Sequence, residues 1–436
     1  MKWRYYHTVW SVLVFGWVTN YMIRIGFSPV LSPIMEEFNI THADAGLLAT
    51  AFFIAYAVMQ FPSGHLGDRV GRKVMLTISS FGWAVAALLT GLTKSYAQLF
   101  ACRLITGLTE GSYFGGDRPV IAAYTPKEKM GLGQGVSFIG LGMGMCLGIL
   151  LAGMIAEVWG WRIVFILFSL PAFVAGFLIL TLIKEPSKKS GKSAVNPGTE
   201  GTFTSSQQSS ILSEEQSHGA SYKLVITNRD LWMLYLGGIP SIYALFVIGT
   251  WAPKIFEDIG VTSLANASIY SSLLGIAAIP GLMVMGYISD KLYQRGFGKK
   301  CAVVASFIIL AFFMGLMGYA IDTGAPVWVF VVYIFIAGFF VWGMWAPIFS
   351  IIAGIVPQEI RGTVFGLTNG INFIGAIVAP WLTGWIKDLT GSFAWGAYSS
   401  GIILVLGAIL IMGIRPAFKL GREVSMAPLG VEDYVA

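Results

Sequence analysis

Twelve stretches of this 436-residue chain are each largely apolar over some twenty residues, and such stretches leave a backbone few solutions. They fall at about 8–33, 45–66, 75–93, 97–124, 131–156 and 162–183, then 231–254, 266–288, 301–321, 327–352, 360–386 and 394–414. Roughly 20 apolar residues in a helix cross the hydrocarbon of a bilayer. No water is available there for a free N–H or C=O, so only helices and closed barrels span it. A barrel needs short segments of alternating hydropathy, and the chain shows none. The fold class expected is therefore an all-α membrane protein with twelve transmembrane helices. Charged residues make up 11%, against about 25% in a soluble chain. The first stretch has no small-residue cleavage site and is long for a signal segment, so it is expected to remain as span 1.

Orientation follows from the 28 Lys and Arg. Lys94, Arg162, Lys254 and Lys387 fall on one face, and Arg24, Arg103 and Arg118 lie within spans. All the others gather on the face that bears both termini, which the positive-inside bias makes cytoplasmic. The same bias accounts for the net charge of +6 without a nucleic-acid partner. Cys102, Cys146 and Cys301 lie in or at the edge of spans and imply no disulfide framework.

Residues 187–221 are rich in Ser, Gly and Gln with almost no large apolar groups. Such a segment cannot fold alone and reads as a flexible linker. The expected division is a six-helix bundle at 1–186, a cytoplasmic linker at 187–222, a second six-helix bundle at 223–416 and a cytoplasmic tail at 417–436. The halves repeat each other. Gly64-His-Leu-Gly-Asp68-Arg69 follows span 2, and Gly286-Tyr-Ile-Ser-Asp290-Lys291 follows span 8. Pro126, Glu128, Gly131 and Gly135 open span 5, and Pro357, Glu359, Gly362 and Gly366 open span 11 at the same spacing. Such pseudo-symmetry is typical of secondary transporters, whose substrate site lies near midplane where the halves meet.

At these residues the chain resembles the major facilitator superfamily. Gly64-His-Leu-Gly-Asp68-Arg69-Val-Gly71-Arg72-Lys73 is similar to its signature loop between spans 2 and 3, and Arg103-Leu-Ile-Thr-Gly107 to its span 4 motif. Asp68 beside Arg69, Arg72 and Lys73 can make charge-assisted bonds or sit at a helix N-terminus. Asp68, Arg69 and Arg72, with Asp290 in the second copy, are thus gating candidates for the cytoplasmic side. The plainer alternative is that the basic cluster only sets topology.

Arg24 is the only charged residue between Thr8 and Ser32. A cation at bilayer depth costs at least ~2.5 kcal/mol unless it meets a partner or a wet cavity. Span 4 carries Arg103, Glu110 and Asp117 at intervals of seven, hence on one face, with Phe114 between them. Burial in low dielectric favours the neutral form of a carboxyl, which makes Glu110 a candidate proton carrier; the alternative is a static bridge to Arg24 or Arg103. Asp117 and Arg118 sit near the cytoplasmic end, as a structural or gating pair. On span 1, Asn20, Tyr21, Arg24 and Phe27 share a polar face, and an Arg fork suits a carboxylate or phosphate.

Asn20-Tyr21-x-x-Arg24, Tyr56-x-x-x-Gln60-x-Pro62-x-Gly64, Arg103-x-x-Thr-Gly107-x-x-Glu110 and Pro126-x-Glu128 are similar to the anion:cation symporter family. That resemblance implies that Arg24 contacts a substrate carboxylate, with Asn20 and Tyr21 beside it. It implies further that Tyr56 lines the cavity, that Glu110 together with Arg103 takes part in proton coupling, and that Asn369, with Asn372 one turn on, contacts substrate. Ile23 stands where family members commonly have Asp, which removes a carboxyl that can pair with Arg103 and puts proton stoichiometry and coupling in question. Tyr21-Met-Ile-Arg24 also resembles the organophosphate:phosphate antiporters, but the second Arg those carry in span 7 is missing from Tyr243–Trp251. One cation suits a monocarboxylate better than a phosphate dianion. Gly140, Gly144 and Gly148 in span 5 read as a close-packing face rather than a nucleotide motif. Trp342, Trp345 and Pro347 are candidates for the cavity wall.

The function expected is a secondary active transporter that takes up a small organic anion, a monocarboxylate, with protons by alternating access. Its partners are the anion, protons and the lipid bilayer, and it works in the cell membrane as a monomer. It needs no cofactor or metal beyond the proton gradient. Alternatives are an anion exchanger or exporter, and a solute receptor that does not transport. No nucleophile–base or metal-ligand spacing suggests an enzyme, and none of the four His lies in mid-membrane.

Overall fold

The computed structural model describes residues 3–126, 129–186, 225–356 and 361–415. The expected linker and tail lie outside them. The main helices are α1 (Tyr5–Ile25), α2 (Leu31–Phe38), α3 (His42–Val70), α4 (Arg72–Gly91), α5 (Tyr96–Tyr124), α6 (Met130–Trp159) and α7 (Trp161–Leu182). The second half has α8 (Arg229–Gly237), α9 (Ile239–Asp258), α10 (Leu264–Ile276), α11 (Ala278–Gln294) and α12 (Lys300–Asp322). It ends with α13 (Val327–Gly343), α14 (Trp345–Ile355), α15 (Arg361–Asn372), α16 (Ile374–Thr390) and α17 (Ala394–Met412). Helix covers each of the twelve expected stretches. Among the described residues ten helical segments are long and apolar enough to cross a membrane. The two long helices outside that set, α1 and α5, carry the buried Arg24, Arg103, Glu110 and Asp117.

Helix ends follow local chemistry. Thr41, Ser95, Asn228 and Ser263 each accept from a backbone N–H in the first turn of the helix they precede. Four expected spans are kinked at single residues: Gly238, Ala277, Met344 and Phe373.

Two glycine ladders set the core of the first half. A Cβ on Gly107, Gly111 or Gly115 of α5 would collide with Phe52, Tyr56 or Ser63 of α3. Spaced by four, these glycines form one face on which the two backbones touch. On α6, a Cβ at Gly140, Gly144 or Gly148 would lie 2.6–2.8 Å from Val14, Val18 or Met22 of α1. The packing role expected for that glycine run is what the structure has. The ladders hold α3 on α5 and α1 on α6, the frame in which Arg24, Tyr56 and Glu110 meet.

The halves touch through α3 with α16 and α6 with α10. The repeat that turns span 2 into span 8 and span 5 into span 11 converts one contact into the other. Bonds between the halves gather on the face away from the termini. Asp388 on α16 accepts from the backbone N–H of His42 (3.1 Å) and Ala43 (2.7 Å), and its Oδ1 lies 2.7 Å from His42 Nδ1. Ser32 donates to Glu257 (2.5 Å), Thr50 to the Ile377 carbonyl (2.6 Å), and Ser263 to Glu157 (2.9 Å). Nearer the termini, a Cβ on Gly64, Gly366 or Gly370 would meet open space. The molecule is closed on the face opposite its termini.

Candidate functional site

Arg24 stands in the last turn of α1, where the helix dipole favours a cation. It is 2% exposed and Glu110 is 0% exposed. Arg24 Nε donates to Glu110 Oε2 at 2.9 Å, and Nη2 donates to Asn20 Oδ1 at 3.1 Å. The guanidinium carbon lies 4.5 Å from the centre of the Tyr21 ring, 4.4 Å from Tyr56 and 5.3 Å from Phe52. Arg24 Nη1, Glu110 Oε1 and Asn20 Nδ2 are buried without a hydrogen-bond partner. Buried polar atoms are nearly always bonded, so three such atoms around one ion pair mark a place built for another group.

Arg103 goes a different way from Glu110. Its Nε donates to the Leu48 carbonyl over a long 3.4 Å. Its guanidinium carbon lies 4.3 Å from the centre of the Phe27 ring and 4.6 Å from Phe52. The shared helix face thus brings Arg103 and Glu110 to one region without pairing them. Asp117, also on that face, accepts from Trp17 Nε1 at 2.8 Å and lies 3.6 Å from Arg118 Nε. The Trp17 bond ties α5 to α1. The side chain of Phe114 lies outside the described residues.

The second half supplies an aromatic wall. Phe373, at the α15–α16 kink, lies 5.0 Å from Tyr56, and Phe246 on α9 lies 4.3 Å from Phe53. Asn369 Nδ2 donates to Gln60 Oε1 at 3.5 Å, one turn along α3 from Tyr56. Asn372 is fully buried against Gly238 at the α8–α9 kink, with both amide atoms unpaired. Only Asn369 of the two therefore faces the first half. Trp342, Trp345 and Pro347 are buried around the α13–α14 kink. Phe52, Phe53, Phe246 and Phe373 are site residues that sequence reasoning passed over. The signal was the run Phe52-Phe53 one turn before Tyr56 and the position of Phe373 beside Asn372.

Of the gating candidates, Arg72 donates from Nη1 to the Gly64 carbonyl (3.1 Å) and the Gly115 carbonyl (2.5 Å), binding the signature loop to α5. The Glu185 carboxylate accepts the backbone N–H of Arg72 and Lys73 (2.7 and 2.8 Å). Gly71 makes this turn at φ 115°, a region closed to most side chains. Arg69 is exposed. Asp290 is also exposed and lies 3.3 Å from Lys299 in its own half. The side chain of Asp68 lies outside the described residues. Lys254 lies 3.4 Å from Glu257 and 3.3 Å from Asp258, in the last turns of α9 on the face away from the termini.

Residues 13–318 and 292–426 match the profile of the Major Facilitator Superfamily. The chain belongs to that superfamily. The hexuronate transporter of Bacillus subtilis (strain 168) is 23% identical over 95% of this chain and 94% of its own length. The probable galactarate/D-glucarate transporter of the same organism is 26% identical over 91% of this chain and 87% of its own. The fold is shared with the solved D-xylose-proton symporter: TM-score 0.76, 17% identity, 96% of this chain and 99% of that one. Superfamily membership and these relatives make the chain a multi-pass membrane transporter rather than an enzyme, and its relatives are carriers of organic anions.

Proposed function

We propose that this superfamily member takes up a small organic anion together with protons by alternating access. In this reading the two halves, 1–186 and 223–416, rock about the central site in the cell membrane with both termini cytoplasmic, and the proton gradient is the only drive. The observation that carries it is the buried Arg24–Glu110 pair with an unbonded nitrogen on one side and an unbonded oxygen on the other. While Glu110 is ionised it occupies Arg24 Nε. A proton on Glu110 removes that competitor and leaves the fork for a substrate carboxylate, bound by charge-assisted bonds. Anion and proton then enter together, and the loaded site carries no more buried charge than the empty one when the halves move. Asn20, Tyr21 and Tyr56 orient Arg24, and Asn369 reads the substrate from the second half. Asp68, Arg69 and Arg72 close the terminal face in the opposite state, with Asp290 in the second copy. The names of the relatives support the organic-anion class.

Proteoliposomes test this. Arg24→Ala should abolish anion binding. Glu110→Gln should keep binding and counterflow but lose accumulation driven by a pH gradient. Full pH-driven accumulation by Glu110→Gln would remove the coupling role. Exchange of one anion for another is the second reading, and Ile23, which leaves the site one carboxyl, favours it. Counterflow in wild type with no response to a pH gradient would select it.

A further inference from the structure

The site holds two guanidinium groups and one carboxylate. Arg103 is 2% exposed, and among the described residues its polar and ring contacts are the Leu48 carbonyl and two aromatic faces. Among the described residues it has no ion pair. Ile23, beside Arg24 on α1, is buried and brings no charge. A buried charge without a counter-charge is costly and is retained where function uses it.

Arg24 and Arg103 both approach the Phe52 ring, at 5.3 and 4.6 Å, so their guanidinium carbons are no farther apart than the sum of those distances. Together they line one cavity of about 20 Å³, whose other walls include Ser28, Phe53, Phe246 and Thr250. That volume is about one water's worth. The walls, however, come from both halves. Ser28 on one side donates to the Thr250 carbonyl on the other at 2.7 Å, so rocking the halves apart widens the space in front of the two cations, both of which belong to the first half.

We infer that the transported anion is a dianion, a short dicarboxylate of about four to six carbons, with one carboxylate at Arg24 and the other at Arg103. This rests on the proton-coupled reading of the site. With a proton on Glu110, two cations meet two carboxylates and the buried charge sums to zero. A monocarboxylate would leave Arg103 uncompensated. The single-carboxylate expectation counted Arg24 as the lone cation of the site, and the geometry adds a second.

Matched pairs that differ only at the far end decide the matter: L-threonate against L-tartrate, and D-gluconate against D-glucarate. Binding to the purified full-length protein is measured calorimetrically. The expected result is that at least one dianion binds about tenfold or more tighter than its monoanion. Arg103→Gln should bring that dianion down to the level of its monoanion and leave the monoanion unchanged. Arg103→Lys, which keeps the charge, should retain part of the preference, and this separates recognition from folding. Equal binding within both pairs, failure of both dianions to bind, or an equal loss for both pair members in Arg103→Gln would overturn the second subsite. Those results leave Arg24 untouched. Undiminished binding by Arg24→Gln would instead sink the reading on which the inference rests.

Discussion

Arg24 is held on three sides by groups of different chemistry: a carboxylate, an amide oxygen and the faces of aromatic rings. Its place was legible in sequence, because a lone cation in an apolar run must face protein, and Asn20 one turn back falls on its side. The contact with Glu110 was one of two alternatives the spacing left open. The course of Arg103 was not legible. Helical period fixes a residue's face, but a long side chain can lean along or across it, and here Phe27 and Phe52 draw it aside. Asn372 was misleading in the same way: one turn from Asn369, it turns to the bare backbone at Gly238. Tyr56 offers a test at this scale. It meets Arg24 by its ring face at 4.4 Å, and such a contact is worth about 2 kcal/mol when desolvated. Tyr56→Phe should therefore leave substrate affinity within about twofold, while Tyr56→Ala should lower it about tenfold or more. A loss in Tyr56→Phe as large as in Tyr56→Ala would move the role from ring to hydroxyl.

At the level of elements, hydropathy located the helices but not their kinks. Gly238, Ala277 and Met344 each precede a proline by two or three residues: Pro240, Pro280 and Pro347. A proline inside a helix removes the bond to the carbonyl four residues back and crowds it, so the helix opens just there. Applied to the spans, that rule would have placed three of the four kinks but would also have marked Pro62, Pro119, Pro171, Pro253 and Pro380, where the helices run on unbroken. Phe373 has no proline so close, and the sequence gives no comparable sign. The short α2 also escaped notice, because it lies beyond span 1 as an outer extension. Its Glu37 accepts from Arg162 Nη1 and Nη2, both at 2.6 Å, and from Trp161 Nε1 at 2.8 Å, which pins α2 to the start of α7. The Arg162 bonds, helped by Trp161, hold the Glu37 carboxyl below its ordinary value. A depressed carboxyl stabilises fully above its unfolded value of about 4.3 and loses that contribution as pH falls through the folded value. Glu37 is partly exposed, so the effect is small. Glu37→Gln should lower the melting temperature by about 1–2 °C at neutral pH. At a pH low enough to protonate the folded Glu37 carboxyl the two proteins should melt together. A difference that persists there would assign the loss to packing instead of the ion pair.

For the whole molecule, the pseudo-repeat foretold that spans 2 and 8, and 5 and 11, play matching parts, and the contacts of α3 with α16 and α6 with α10 follow it. Which face is shut was not legible, because under the proposed alternating access one sequence serves every state. In the arrangement seen here the seal is polar as well as packed. The Asp388 carboxylate spans the gap between halves to the first backbone N–H groups of α3 and to His42. A helix N-terminus binds an anion well, yet these bonds lie at a surface where water can replace them. A latch of this kind holds firmly without locking, as the proposed alternating access requires. Thr50, deeper on the same seam, donates to the Ile377 carbonyl and reports whether the seam is open. In a background lacking Cys102, Cys146 and Cys301, Thr50→Cys should react slowly with a membrane-impermeant maleimide added from outside. Adding Asp388→Asn should raise that rate severalfold by shifting the population toward the outward-open state, and should slow net transport. An unchanged labelling rate would mean that the glycine contacts, in which Gly46 meets Pro380 and Gly384 meets His42, keep the outer face shut without the latch.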